Sequence, residues 1–132
     1  VSCGGGKNHR FGLYDAILIK DNHIKASGGI IHAVNKVKES HNNSIQIEVE
    51  TTTIAEVREA IEAKSDIIML DNMSIENIKK AVHIIDGRAR TEVSGSISID
   101  QLSMLSKVNI DYISIGALTH SPKASDISMN FL

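Results

Sequence analysis

Five short apolar runs, each closing on a polar residue or a glycine, alternate with amphipathic stretches along the chain. The runs cover residues 16–20 ending on Lys20, 45–50 ending on Glu50, 66–70 followed by Asp71, 90–94 running into Gly95, and 111–115 followed by Gly116. This β-α-β-α-β-α-β-α-β order predicts parallel strands with covering helices. Active sites of barrel-type α/β folds gather at the carboxyl ends of the strands. Lys20, Glu50, Asp71 and two glycine-containing turns are therefore expected on one rim.

The pattern inside the runs narrows the fold further. Ile45, Ile47 and Val49 alternate with Gln46, Glu48 and Glu50, and Thr91 and Val93 with Arg90, Glu92 and Ser94. Ile113 and Ile115 alternate with Tyr112, Ser114 and Gly116 in the same way. Side chains alternate faces along a strand, so one face meets the helices and the other is polar. A parallel sheet covered on both sides is apolar on both faces. A polar stripe spread over three strands instead predicts a barrel with a wet, charged interior. Buried carboxylates there need cations or a metal, with Lys7, Arg10, Lys20 and Arg90 as the candidate cations.

Closed β/α barrels take eight strands and roughly 250 residues, whereas this chain has five runs in 132 residues and opens on Val1 in a glycine-rich loop. The expectation is an α/β chain forming a partial open β/α barrel with parallel strands, incomplete without an upstream segment. Residues 1–132 would be the carboxyl-terminal portion of a longer domain, with its amino-terminal domain absent. Residues 1–12 read as a loop without periodicity, and residues 21–29 as a connection into a helix over 30–41. Thr53-x-x-Glu56 and Ser98-x-x-Gln101 are capping boxes and Ser74 a further cap, with Gly87 ending the helix that Ser74 begins.

Composition excludes several classes of function. A net charge of -2 favours neither nucleic acid nor a membrane surface. Without Trp, and with 3% aromatic residues, base-stacking platforms are not expected. Cys3 stands alone, which excludes an internal disulfide and fits a reducing, cytoplasmic setting. No run is long enough to span a bilayer.

The residues with chemical potential sit in the loop and at the strand ends. Gly4, Gly5 and Gly6 let the backbone approach a ligand, and Lys7, His9 and Arg10 can bind anionic oxygens; a flexible turn with solvated cations is the competing reading. The loop lacks the spacing of a P-loop. A lone Lys20 reads as a snorkelling surface residue, but its rim neighbours Glu50 and Asp71 favour a site. Those carboxylates can hold Mg²⁺ through a few oxygens and waters, or stabilise an oxocarbenium-like centre; a cap for Asp71 and an ion pair for Glu50 are the alternatives. Ser94-Gly95-Ser96 and Gly116 follow the last two strands, where barrels often bind phosphate. His23, His32, His41, His83 and His120 show no metal-ligand spacing, and Cys3 has no evident base beside it.

The run CGGGKNHRFGLYDAILIKDNHI closely resembles a signature of the quinolinate phosphoribosyltransferase family. IEVE, IMLDNM, EVSGSI and ISIGALTHS resemble its later signatures in the same order, through essentially the whole chain. The resemblance implies phosphoribosyl transfer from phosphoribosyl pyrophosphate to quinolinate with decarboxylation, giving nicotinate mononucleotide, pyrophosphate and CO₂ in NAD biosynthesis. It implies Mg²⁺ and a homodimer or higher oligomer. His9 and Arg10 would bind the quinolinate carboxylates, with Lys20 near the reacting centre. Glu50 and Asp71 would face the ribose and the metal-bound pyrophosphate, and Ser94, Gly95, Ser96 and Gly116 would hold the 5′-phosphate. Ser96 replaces a second glycine of many relatives. The family's Thr-Arg-Lys-Thr motif and an arginine donated across the dimer are absent from this chain, so the isolated chain is expected to be inactive. The alternatives are a paralogous phosphoribosyltransferase with another ring-acid acceptor, and a non-catalytic phosphate-binding or assembly remnant.

Overall fold

The computed structural model describes residues 1–41 and 44–131. Its strands are β1 (Ala16–Ile19), β2 (Gln46–Thr51), β3 (Ile67–Asp71), β4 (Arg90–Ser94) and β5 (Tyr112–Ile113). They form one parallel sheet in sequential order, β1-β2-β3-β4-β5. The helices are α1 (Asp21–Ser27), α2 (Ile30–His41), α3 (Ile54–Glu62), α4 (Ile75–Ile85), α5 (Ile99–Leu105) and α6 (Ala117–His120), and a 3₁₀ turn spans Ser2–Gly4. The chain is an α/β protein with an open parallel sheet.

The register explains the alternation. Leu18 pairs with Glu48, Glu48 with Ile67 and Ile67 with Arg90; Glu50 pairs with Met69, Met69 with Glu92 and Glu92 with Tyr112. Side chains at paired positions share a face, so the glutamates of β2 and β4 lie on one face with Ile67 and Met69 between them. The opposite face carries Ile19, Ile47, Val49, Ile68, Leu70 and Val93, all in the core. Helices α2, α3 and α4 add Ile30, Val34, Val57, Ile78 and Ile85 to that core. Burying such aliphatic side chains stabilises by roughly 1.5–3 kcal/mol each.

The helix starts form as the sequence predicts. Thr53 Oγ1 accepts from the Glu56 N–H at 3.2 Å, while Glu56 Oε2 accepts from the N–H groups of Thr52 and Thr53 at 2.7 and 3.0 Å. Ser98 forms the same reciprocal box with Gln101 at the start of α5, and Ser74 caps α4 by accepting from the Asn77 N–H alone.

Four expectations need correction. Residues 21–27 are a helix rather than a plain connection: His23 Nδ1 accepts from the Lys20 N–H at 3.0 Å, Lys25 reaches Asp21 at 3.0 Å, and Gly28 closes the turn at φ 80°. Local polar bonds hold α1, so it lacks the apolar stripe that would announce it. Lys20 is the N-cap of α1, one residue beyond β1. The last strand is short: only Tyr112 and Ile113 pair with β4, while the Ser114 hydroxyl donates to Glu92 and Asp111 accepts from the Thr91 N–H and hydroxyl. Finally, α4 ends on Asp86, itself left-handed at φ 47°, with Gly87 following at φ 71°.

The capping box of α3 yields the first prediction. Thr53→Ala should lower the unfolding free energy by about 1 kcal/mol in urea titrations at neutral pH. Partial burial raises the Glu56 pKa, but the hydrogen bonds from Thr52 and Thr53 outweigh it and hold the carboxyl below its ordinary 4.5. A depressed folded-state pKa contributes stability above 4.5 that is lost as pH falls through the folded value. Glu56→Gln should flatten that acid limb, and an unchanged limb would contradict the assignment.

Candidate active site

The candidate side chains fall into two groups, one on the open face of the sheet and one at its carboxyl edge. On the open face, Glu48 and Glu92 are 3% and 4% exposed. The glycine-rich loop crosses this face and brings His9 Nε2 to 2.9 Å from Glu48 Oε2 and 3.5 Å from Glu92 Oε1. The Ser114 hydroxyl donates to Glu92 Oε1. Glu48 Oε1 is buried and has no hydrogen-bond partner among the described residues. Burial, then the charge of Glu92, push the Glu48 carboxyl up to about 7, while His9 and Arg10 pull the other way.

This corrects the expected set of neutralising cations. The group that meets the buried carboxylates is His9. Arg10 acts from further off, its Nη1 donating to the Ala16 carbonyl at 3.2 Å. Arg90 lies toward the other end of the sheet, donating to the Tyr112 hydroxyl at 2.9 Å. Lys7 is exposed. Neither Glu48 nor Glu92 was singled out as a site residue from the sequence. Their even-numbered positions in β2 and β4 carried the signal.

The second group occupies the carboxyl edge. Lys20 follows β1, Glu50 lies near the end of β2, Asp71 ends β3, Ser94 ends β4 and Gly116 follows β5. Because all five strands are parallel and sequential, these positions share one edge. Lys20 Nζ is 3.9 Å from Glu50 Oε2, with the lysine half exposed and the glutamate partly buried. Burial raises the Glu50 pKa; Lys20 opposes the shift, and Asp71 and Asp21 add to it. Asp71 Oδ2 accepts from Asn72 Nδ2 at 2.8 Å. The donor set suits a hard divalent cation: two carboxylates at neighbouring strand ends repel one another, and Mg²⁺ needs few protein oxygens.

The turn after β4 is built around its glycine. Gly95 has φ +98°, and a β-carbon there would lie 2.3 Å from Asn72 Oδ1. Asn72 is itself fixed by its N–H bond to the Ser94 carbonyl at 3.0 Å and by its contact with Asp71. Ser96 is left-handed at φ 47°, a conformation in which glycine is the more comfortable residue. Gly116 begins α6, its carbonyl accepting from the Thr119 and His120 N–H groups at 3.0 Å.

Comparison with known proteins bears directly on this arrangement. The family model described as "Quinolinate phosphoribosyl transferase, C-terminal domain" matches residues 1–130. The chain belongs to the quinolinate phosphoribosyl transferase family. A probable nicotinate-nucleotide pyrophosphorylase (carboxylating) of Bacillus subtilis is 45% identical over 130 residues, 98% of this chain and 45% of the relative. A mitochondrial quinolinate phosphoribosyltransferase (decarboxylating) of Nicotiana tabacum is also 45% identical, over 98% of this chain and 42% of its own length. The crystal structure of NadC from Streptococcus pyogenes superposes with a TM-score of 0.92 at 46% identity, covering 98% of this chain and 46% of that one. The chain thus spans less than half the length of these family members. A thiamine phosphate pyrophosphorylase from Pyrococcus furiosus, 16% identical with a TM-score of 0.63, shares the fold alone.

Within this family framework, Gly95 gives a sharp test of the rim. Gly95→Ala should destabilise the protein by about 1–3 kcal/mol, the range for a residue forced into a sparsely populated backbone region. Adding Asn72→Ala should recover only part of the loss in urea unfolding, because the backbone strain persists when the clash is gone. Full recovery would mean that the Asn72 contact alone makes Gly95 necessary.

Proposed function

We propose that this chain forms the carboxyl-terminal part of a quinolinate phosphoribosyltransferase, an enzyme of NAD biosynthesis. The reaction moves the phosphoribosyl group of phosphoribosyl pyrophosphate to quinolinate. The pyridine nitrogen bonds to ribose C1 as pyrophosphate departs with the electron pair. The 2-carboxylate is then lost as CO₂, a proton takes its place on the ring, and nicotinate mononucleotide remains. The observation that carries this reading is the single carboxyl edge shared by Lys20, Glu50, Asp71, Ser94 and Gly116, in a chain whose matched relatives bear this activity in their names.

In this reading Glu50 and Asp71 present negative charge to the ribose as it becomes oxocarbenium-like. Fixed charges aimed at charge that develops only in the transition state accelerate the chemical step. Lys20, 3.9 Å from Glu50, orients that carboxylate and faces the acceptor. The Ser94-Gly95-Ser96 turn and Gly116 offer small residues and backbone N–H groups to the 5′-phosphate. Arg10 and His9 receive the two acceptor carboxylates, Arg10 through the paired N–H geometry that a lysine lacks. Mg²⁺, held by Glu50 and Asp71 directly or through water, would neutralise charge on the departing pyrophosphate. A homodimer or higher oligomer is part of the proposal, as is a cytoplasmic setting for a chain whose Cys3 is exposed and free. No helix among the described residues is long and apolar enough to cross a membrane.

A chimera tests the proposal, with this sequence replacing the matching residues of the Bacillus subtilis relative. The chimera should release pyrophosphate only when quinolinate and phosphoribosyl pyrophosphate are both present, and the 132-residue chain alone should not. Acceptance of a different ring acid in preference to quinolinate would favour a paralogous enzyme. Lys20→Ala and Asp71→Ala in the chimera should each lower kcat at least about a hundredfold, the scale of lost electrostatic stabilisation. Arg10→Lys should chiefly raise the KM for quinolinate, leaving that for phosphoribosyl pyrophosphate near its starting value. Near-normal turnover in the first pair, or an unmoved quinolinate KM in the last, would contradict the roles given.

A further inference from the structure

Among the described residues, four positions other than glycine have positive φ: Lys64, Asn72, Asp86 and Ser96. Lys64 and Asp86 stand at the ends of α3 and α4, where left-handed caps are ordinary. Asn72 and Ser96 instead stand at the carboxyl rim, in the turns that follow β3 and β4, at φ 51° and 47°. Backbone held in sparsely populated regions collects at ligand sites. Ser96 already belongs to the turn given to the 5′-phosphate, whereas Asn72 has no part in the transfer as described.

The left-handed turn lets Asn72 reach two parts of the rim at once. Its N–H donates to the Ser94 carbonyl at 3.0 Å, just beyond the Asp71–Ser94 pair that ends the β3–β4 register. Its side chain folds back, and Nδ2 donates to Asp71 Oδ2 at 2.8 Å. The amide oxygen crowds Gly95, where a β-carbon would lie 2.3 Å from it. One carboxamide therefore spans the end of β3 and the turn after β4. Asn72 is exposed, and a single hydrogen bond there contributes only modestly to stability. The fold nevertheless gives up a side chain at position 95 to make room for it. That cost fits a residue that orients its neighbour better than one that holds the core.

We propose that Asn72 is a positioning residue for phosphoribosyl transfer: anchored by its backbone to the phosphate turn, it holds the Asp71 carboxyl in the orientation that meets the ribose. The inference rests on the transfer reading above, in which Asp71 faces the ribose and Ser94-Gly95-Ser96 takes the 5′-phosphate. Asn72 acts through both. It keeps the carboxyl and the turn at one separation, so that phosphoribosyl pyrophosphate gripped by its phosphate presents ribose C1 to Asp71.

The test uses the Bacillus subtilis chimera and the variant Asn72→Gly, which relaxes into the left-handed turn and keeps the N–H bond while deleting the amide. Calorimetry without quinolinate reads the Kd of phosphoribosyl pyrophosphate apart from turnover. Asn72→Gly should raise that Kd and lower kcat, each by about tenfold, the scale of a hydrogen bond to a charged group. The KM for quinolinate and the urea midpoint should stay near their starting values. Asn72→Asp has the same shape but no donor, and should do no better than Asn72→Gly. In an Asp71→Ala background, Asn72→Gly should change the Kd by less than about twofold, because the two residues act as one unit. Unchanged affinity and kcat in Asn72→Gly, an undiminished effect once Asp71 is gone, or a lowered urea midpoint with the affinity kept would each overturn the positioning role. If Asp71→Ala itself left affinity and turnover intact, the transfer reading would fall and the role of Asn72 with it.

Discussion

A carboxylate removed from water must be given a cation, a metal or a proton, and this molecule places two of them side by side on one face of its sheet. Glu48 and Glu92 are almost fully buried, and the Glu48 carboxyl is pushed up to about 7. At 4 Å and an effective dielectric near 20, two like charges repel by about 4 kcal/mol, enough to keep a bare pair from persisting. The glycine-rich loop supplies the countermeasure through His9, with Arg10 behind it. One electrostatic demand therefore fixes where the loop lies and brings its residues to the same side of the sheet as the rim.

The rest of the architecture follows from keeping that polar face separate from the core. The helix-facing side of the sheet is aliphatic apart from Thr51 and Thr91, whose hydroxyls are satisfied locally. Strand β3 differs from its neighbours by being apolar on both faces. Ile67 and Met69 stand between the glutamates of β2 and β4 and are 6% and 5% exposed. They provide a spacer that excludes water without adding charge. A polar residue there would enlarge the charged stripe and weaken the desolvation that tunes Glu48.

Much of this was legible in the sequence because it is local. Alternation in β2 and β4 gave the polarity of the two faces, and the capping boxes at Thr53 and Ser98 gave the helix starts. The rim positions followed from strand ends. What escaped was either nonlocal or locally ambiguous. The pairing of His9 with Glu48 and Glu92 joins a loop to two separated strands, and nothing in the spacing of those residues announces it. Helix α1 is written in polar residues, so periodicity was silent, and only Ile24 packs toward the core. The cross-strand lock between Asn72 and Ser94-Gly95 depends on a left-handed turn visible only once β3 and β4 lie side by side.

The two carboxylate groups differ in a way that assigns them different work. On the face, His9 meets both glutamates at short range, and Ser114 donates to Glu92. At the rim, Lys20 sits 3.9 Å from Glu50 and is half exposed, so the pair is loose and screened by solvent. Asp71 raises rather than relieves the charge burden on Glu50. The rim is left with negative charge its own residues do not neutralise, at the edge where the strands end and the small turns begin. A cation arriving with a substrate, or positive charge developing within one, would complete it, which is why the proposed chemistry is placed at this edge.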